Sequence, residues 1–206
     1  HILKKADNET VSDILLELVQ SLKFEFDMIH SPLGEFLLEK AQANFDICNR
    51  LNWYLLVESN ADKNAGTRKQ YEKMARHLWI HLKRTKKERC EKYVEKLARQ
   101  REFMASLNEL SQVLKRSKGD RPKKVQKLKK ILQDEKQWSK LFFSNISSKL
   151  PPSYLTVPVN PMLSVSGIAS EKSTIFKSAM NPILLPFVTV EDEDENSDED
   201  ERDSGD

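Results

Sequence analysis

Apolar residues recur along the first two thirds of the chain at three- and four-residue intervals. Val11, Ile14, Leu15, Leu18, Val19 and Leu22 stand at i, i+3, i+4, i+7, i+8 and i+11, the stripe of a helix that buries one face. Ser31 and Pro32 supply an N-cap and a first-turn proline, and Leu33, Phe36, Leu37 and Ala41 carry the next stripe. From Phe45 to Glu58 the apolar residues Ile47, Leu51, Trp53, Tyr54, Leu55, Leu56 and Val57 leave little polar face. That helix is expected to lie between neighbours and not on the surface. Short antiparallel helices of this kind stack into a solenoid-like unit in which each pair covers the next.

Asn60 to Gly66 reads as a loop. A long helical region is expected from about Lys69 to Arg116, with Cys90, Tyr93, Leu97, Met104, Leu107 and Leu114 in a three-four step that Gln100 and Ser111 interrupt. Ser117 to Pro122 breaks it, and a further helix is expected from Pro122 to about Phe143 on Val125, Leu128, Ile131, Leu132, Trp138 and Leu141. After Leu150 the pattern changes. Pro151, Pro152, Pro158, Pro161, Gly167, Pro182 and Pro186 exclude continuous helix, and Val157, Val159, Leu163, Val165 and Ile168 predict extended segments of an antiparallel sheet.

Charge divides the chain along the same lines. The net charge of +2 combines 5 Lys and Arg against 10 Asp and Glu over residues 1–60, 26 against 10 over 61–149, and 1 against 11 over 191–206. The acidic run from Glu191 to Asp206 has no large apolar residue and reads as a disordered tail. No apolar run approaches the roughly 18 residues of a membrane span, and no signal-peptide pattern is present, so a soluble intracellular protein is expected. A chain opening on His1 without methionine reads as a piece of a longer polypeptide. Cys48 and Cys90 lack C-x-x-C spacing and fit core or helix-surface positions in a reducing compartment.

Three patterns carry candidate chemistry. From Ile175 to Asn181 a turn between two strands is expected, able to aim successive backbone N–H groups and the Ser178 hydroxyl at phosphate oxygens, with Lys177 adding positive charge. Taken alone, that stretch reads better as an ordinary hairpin turn. His77 and His81 stand at i, i+4, a spacing that suits one metal ion, but no H-E-x-x-H order and no third ligand accompany them, and two partly exposed helix histidines are the better reading. The run Arg121 to Lys130 reads as a solvated basic helix face. Anionic lipid suits it better than nucleic acid, since no aromatic stacking platform accompanies the charge.

Two stretches far apart resemble one family. Ala41 to Glu58 (AQANFDICNRLNWYLLVE) resembles the accessory-domain helix pair of phosphatidylinositol 3-kinases, with Asp13 to Glu25 a weaker continuation. Ser173 to Pro182 (STIFKSAMNP) resembles the glycine-poor phosphate loop of the class III members, departing from it at Met180 and Asn181. The resemblance implies a mainly α chain. Residues 1–66 would be the end of the helical accessory domain, 67–150 a basic helical linker, 151–190 the first β-strands of a kinase N-lobe (an α+β region), and 191–206 an acidic disordered insertion. It implies a nucleotide-binding loop of Ile175, Phe176, Lys177, Ser178, Ala179, Met180, Asn181 and Pro182, in which Ser178 faces the phosphates while Phe176 and Pro182 form part of the roof.

By the same resemblance the parent enzyme is a transferase. It would use ATP with Mg or Mn to phosphorylate phosphatidylinositol at the 3-hydroxyl on endosomal and autophagosomal membranes, in vesicle trafficking and autophagy. Its expected partners are a myristoylated protein-kinase-like regulatory subunit and a Beclin-type coiled-coil subunit, with no role for nucleic acid. The lysine strand, the catalytic loop and the metal-binding D-F-G do not occur in these residues, so the segment alone is expected to be inactive. The rival reading is a non-catalytic helical scaffold whose basic helices bind protein partners or anionic membrane.

Overall fold

The computed structural model describes residues 6–134, 138, 142–144, 153–178 and 182–190. It is mainly helical, with antiparallel strands at the C-terminal end. The first expected helix is two: α1 (Asn8–Asp13), capped by Asp7, and α2 (Leu15–Ser21), which meet at Ile14. Val11, Leu15, Val19 and Leu22 are nevertheless all fully buried, so the stripe survives the break.

Helix α3 (Pro32–Ala43) starts where the Ser-Pro pair places it, with Ser31 Oγ accepting from Gly34 N at 3.0 Å. Helix α4 (Phe45–Ala61) follows after a single residue, Asn44, whose side chain caps it through Ile47 N. Leu51 and Leu55 are buried, but Val57 is 57% exposed and Trp53 only half-buried, so α4 is covered on most sides and not all round.

The region expected as one long helix is broken. Helix α5 (Ala65–Arg84) ends at Thr85, and Lys86 takes φ 50° before α6 (Glu88–Arg116) begins. Left-handed backbone costs a residue with a Cβ about 1–2 kcal/mol. Packing offsets that cost, because the reversal lets both helices lay apolar faces on α4. The stripe of α6 is also shifted from expectation: Met104 is 41% exposed, while Gln100, Phe103 and Leu110 are buried.

Two cores result, and α6 runs through both. Cys90 and Leu97 join the cluster of α1 to α5; Phe103, Leu110 and Leu114 join a second cluster with Leu128, Leu132, Leu155, Val165 and Ile175. Buried polar groups tie the first core together. Asn52 accepts from Trp79 Nε1 (3.0 Å) and Arg101 Nη2 (3.1 Å), and the Arg101 guanidinium lies 4.3 Å from the Trp79 ring centroid.

Helix α7 (Arg121–Leu132), capped by Asp120, ends earlier than expected, and beyond it Trp138 and Phe142 are helical again. Phe143 and Ser144 are not helical. They form β1, paired with Tyr154 and Ser153 of β2 (Ser153–Val157), so a sheet edge and not a helix satisfies their backbone. Strand β3 (Asn160–Ile168) pairs with β2, and β6 (Phe187–Thr189) with β3, giving an antiparallel sheet in the order β1-β2-β3-β6. Strands β4 (Thr174–Ile175) and β5 (Ile183–Leu184) form a separate antiparallel pair. No helix among the described residues is long and apolar enough to cross a membrane.

Candidate functional site

The loop between β4 and β5 is built from its stem outward. Ile175 pairs with Ile183 and Thr174 with Leu184, and Phe176 N donates to Pro182 O at 2.9 Å, closing the loop at its base. Ile175 is 1% exposed and belongs to the second core, which anchors the stem. Beyond it the chain emerges: Phe176 is 50% exposed, and Lys177, Ser178 and Pro182 are exposed. The loop thus brings Phe176, Lys177, Ser178 and Pro182 together at one tip of the hairpin. Ala179, Met180 and Asn181 lie outside the described residues.

Sequence reasoning missed two contributors from outside the hairpin. Arg121, at the start of α7, donates from Nε to Ile175 O at 2.6 Å. Glu171, in a short 3-10 turn (Ser170–Lys172) before β4, accepts from Lys129 Nζ at 3.3 Å and Gln133 Nε2 at 2.6 Å. The helix is therefore docked on the hairpin along one side, while Arg121, Lys123, Lys127 and Lys130 remain exposed on the solvated basic face that was expected. Only the tertiary fold brings these groups together, and no local motif marks them.

The four-stranded sheet is fastened to the accessory helices. Gln100 Nε2 donates to Thr156 O and Oγ1, both at 3.0 Å, and its Oε1 accepts from Trp53 Nε1. Asn49 Nδ2 donates to Pro158 O at 2.8 Å. Gln100, an interruption in the sequence stripe, is thus the polar link between α4, α6 and β2.

His77 and His81 lie on α5, Cys48 on α4 and Cys90 on α6. His81 Nε2 meets Gln42 Oε1 at 3.0 Å, and the His77 ring lies edge-on to His30 at 6.3 Å. Among the described residues no group of three or more His, Cys, Asp or Glu is placed to hold a metal ion. Cys48 and Cys90 are buried and free, and burial, reinforced by the neighbouring Cys90, pushes the Cys48 thiol up to about 12. Both belong to the core.

The described residues thus form a stacked helical unit fastened to an antiparallel sheet, with an anchored loop beside it. Residues 1–92 match the accessory (PIK) domain of the phosphoinositide 3-kinase family. Over 192 residues the chain is 30% identical to phosphatidylinositol 3-kinase VPS34 of Arabidopsis thaliana, covering 93% of the chain and 22% of that protein. It is 31% identical over 194 residues to the root isoform of phosphatidylinositol 3-kinase of Glycine max (92% and 22%). To phosphatidylinositol 3-kinase pik3 of Schizosaccharomyces pombe it is 29% identical over 191 residues (90% and 22%). The chain belongs to the phosphoinositide 3-kinase family, and it spans about a fifth of the length of these relatives.

Proposed function

We propose that this chain is the part of a phosphatidylinositol 3-kinase that carries the helical accessory domain into the nucleotide-facing hairpin of the kinase N-lobe. The parent enzyme transfers the γ-phosphate of ATP to the 3-hydroxyl of phosphatidylinositol. One observation supports this above the others: the similarity to named phosphatidylinositol 3-kinases runs through both the accessory helices and the hairpin, over 93% of the chain. A match to the accessory domain alone would leave the chemistry open.

In this reading the residues of the chain bind and orient. Backbone N–H groups of the β4–β5 loop and the Ser178 hydroxyl face phosphate oxygens, Lys177 contributes positive charge, and Phe176 and Pro182 cover the nucleotide. Mg or Mn, held elsewhere in the parent, supplies charge neutralisation on the phosphates. Work on endosomal and autophagosomal membranes, with a protein-kinase-like regulatory subunit and a Beclin-type subunit, completes the proposal.

The test is to supply the full-length parent with ATP, divalent metal and phosphatidylinositol vesicles and measure phosphatidylinositol 3-phosphate. Product that depends on all three supports the reading. An enzyme that makes none, yet binds anionic vesicles, overturns it in favour of the scaffold.

A further inference from the structure

The peptide unit that opens the β4–β5 loop is held at both of its ends. Its carbonyl, on Ile175, accepts from Arg121 Nε at 2.6 Å, and its N–H, on Phe176, donates to Pro182 O at 2.9 Å. The second bond belongs to the hairpin. The first comes from α7, 54 residues away in sequence. The same helix buries Leu128 and Leu132 in the cluster that holds the Ile175 side chain, and its last turn reaches Glu171 through Lys129 and Gln133. Helix α7 therefore grips the segment leading into the loop at two points four residues apart, Glu171 in the 3-10 turn and Ile175 at the end of β4, whose side chain shares a cluster with Leu128 and Leu132. Arg121 is the part of that grip that acts on the loop stem itself.

We propose that Arg121 is a positioning residue for the nucleotide loop. By fixing the 175–176 peptide, it sets the direction in which Phe176, Lys177 and Ser178 leave β4, and through them the affinity of the parent enzyme for ATP. This rests on the function proposed above. The physical ground is that a loop recognises phosphate through the aim of its N–H groups, and misplacement of about 1 Å weakens such recognition severely. A carbonyl held by a guanidinium donor cannot rotate without breaking a charge-assisted bond. The competing role for Arg121 is plain electrostatic attraction of anions, and substitution separates the two. Glutamine, like arginine, carries nitrogen on Cδ, so Arg121→Gln keeps a donor for Ile175 O and loses the charge. Arg121→Met has the same reach and loses both.

The experiment uses the full-length parent with three readouts: ATP dissociation constant and steady-state kinetics, amide hydrogen exchange at Phe176 without nucleotide, and thermal melting. Arg121→Met should raise the Kd and KM for ATP about tenfold, the order of one lost charge-assisted hydrogen bond, leave kcat within about twofold of the parent, and speed exchange at Phe176. Arg121→Gln should stay close to the parent in ATP affinity and exchange. Equal impairment of the two variants would overturn positioning in favour of charge. A lower melting temperature or faster exchange in Arg121→Met with unchanged ATP affinity would also overturn it, leaving a purely structural role. A parent that binds no ATP would overturn the proposed function and this inference together, whereas unchanged ATP binding in Arg121→Met overturns this inference alone.

Discussion

Trp53 Nε1 donates to Gln100 Oε1 at 3.0 Å across the seam between α4 and α6, and Gln100 spends its own amide on Thr156 of β2. The amide thus joins the accessory helices to the sheet, with Gln100 fully buried. Replacing it with leucine strands the indole N–H and the Thr156 hydroxyl, at about 1–3 kcal/mol for each group left unsatisfied. We expect Gln100→Leu to destabilise the chain by about 2–4 kcal/mol in urea melts. A double-mutant cycle with Trp53→Phe should show a coupling of about 1 kcal/mol, and zero coupling would dissolve the link. Because Trp53 is half-buried, Trp53→Ala should cost less than the roughly 3–5 kcal/mol of a fully buried aromatic.

Gly34 sits in the first turn of α3, where an added Cβ would collide with the Met28 carbonyl. Gly34→Ala must push the Met28–Ile29 segment away from the helix, and overpacking of this kind costs about 1–3 kcal/mol. The expected outcome is a lower melting temperature. A variant melting with the parent would show that the segment yields freely.

Burial holds His77 below the ordinary histidine range, helped by the nearby charges of His81, His30 and Arg84 and opposed by Asp27. With the folded value depressed, the unfolded chain binds the proton first as pH falls below about 6.5. Stability is therefore complete above that value and declines as pH drops from it toward the lower folded value. Urea melts at pH 7.5 and 5.5 should show this decline in the parent and a smaller one in His77→Gln. Equal declines would remove His77 as the source.

Ser178 lies at the exposed tip of the hairpin loop. In the full-length parent, Ser178→Glu should raise the Michaelis constant for ATP or abolish activity by setting a carboxylate against phosphate oxygens. Ser178→Ala should do much less, since the backbone donors stay. Unchanged ATP kinetics in Ser178→Glu would take Ser178 out of the nucleotide site.

The segment Glu191–Asp206 lies outside the described residues; it carries 11 acidic against 1 basic side chain, while residues 61–149 carry 26 basic against 10 acidic. Deleting it should strengthen binding to vesicles of phosphatidylserine and phosphatidylcholine at low ionic strength. The gain should shrink at physiological salt, where the Debye length is about 8 Å. Equal binding with and without the segment at both salt levels would mark it as electrostatically inert toward these helices.

Much of this fold could be read before the structure, and the misses share a cause. Ser31 with Pro32, the Val11-to-Leu22 stripe and the aliphatic residues around Val165 are local signals, and they led to a capped helix start, a buried helical face and a strand, although the stripe runs over two helices and not one. The break at Lys86 carries no glycine or proline, so nothing local announces it; only packing of both helices on α4 imposes it. Gln100 looked like a flaw in an apolar stripe because its partners, Trp53 and Thr156, lie 47 and 56 residues away. Arg121 was hidden in the same manner, one cation within a basic run, distinguished only by the carbonyl it meets. The turn between β4 and β5 was legible because strand-forming residues and a proline coincide in one short stretch.

Helix α6 deserves a mechanical reading. Its 29 residues form an uninterrupted rod, roughly 44 Å long at 1.5 Å per residue, with one end clamped among the accessory helices and the other against the four-stranded sheet. A rod clamped at both ends transmits torque. A torque applied at the accessory end would reach the sheet, since no loop along those 29 residues takes up the strain.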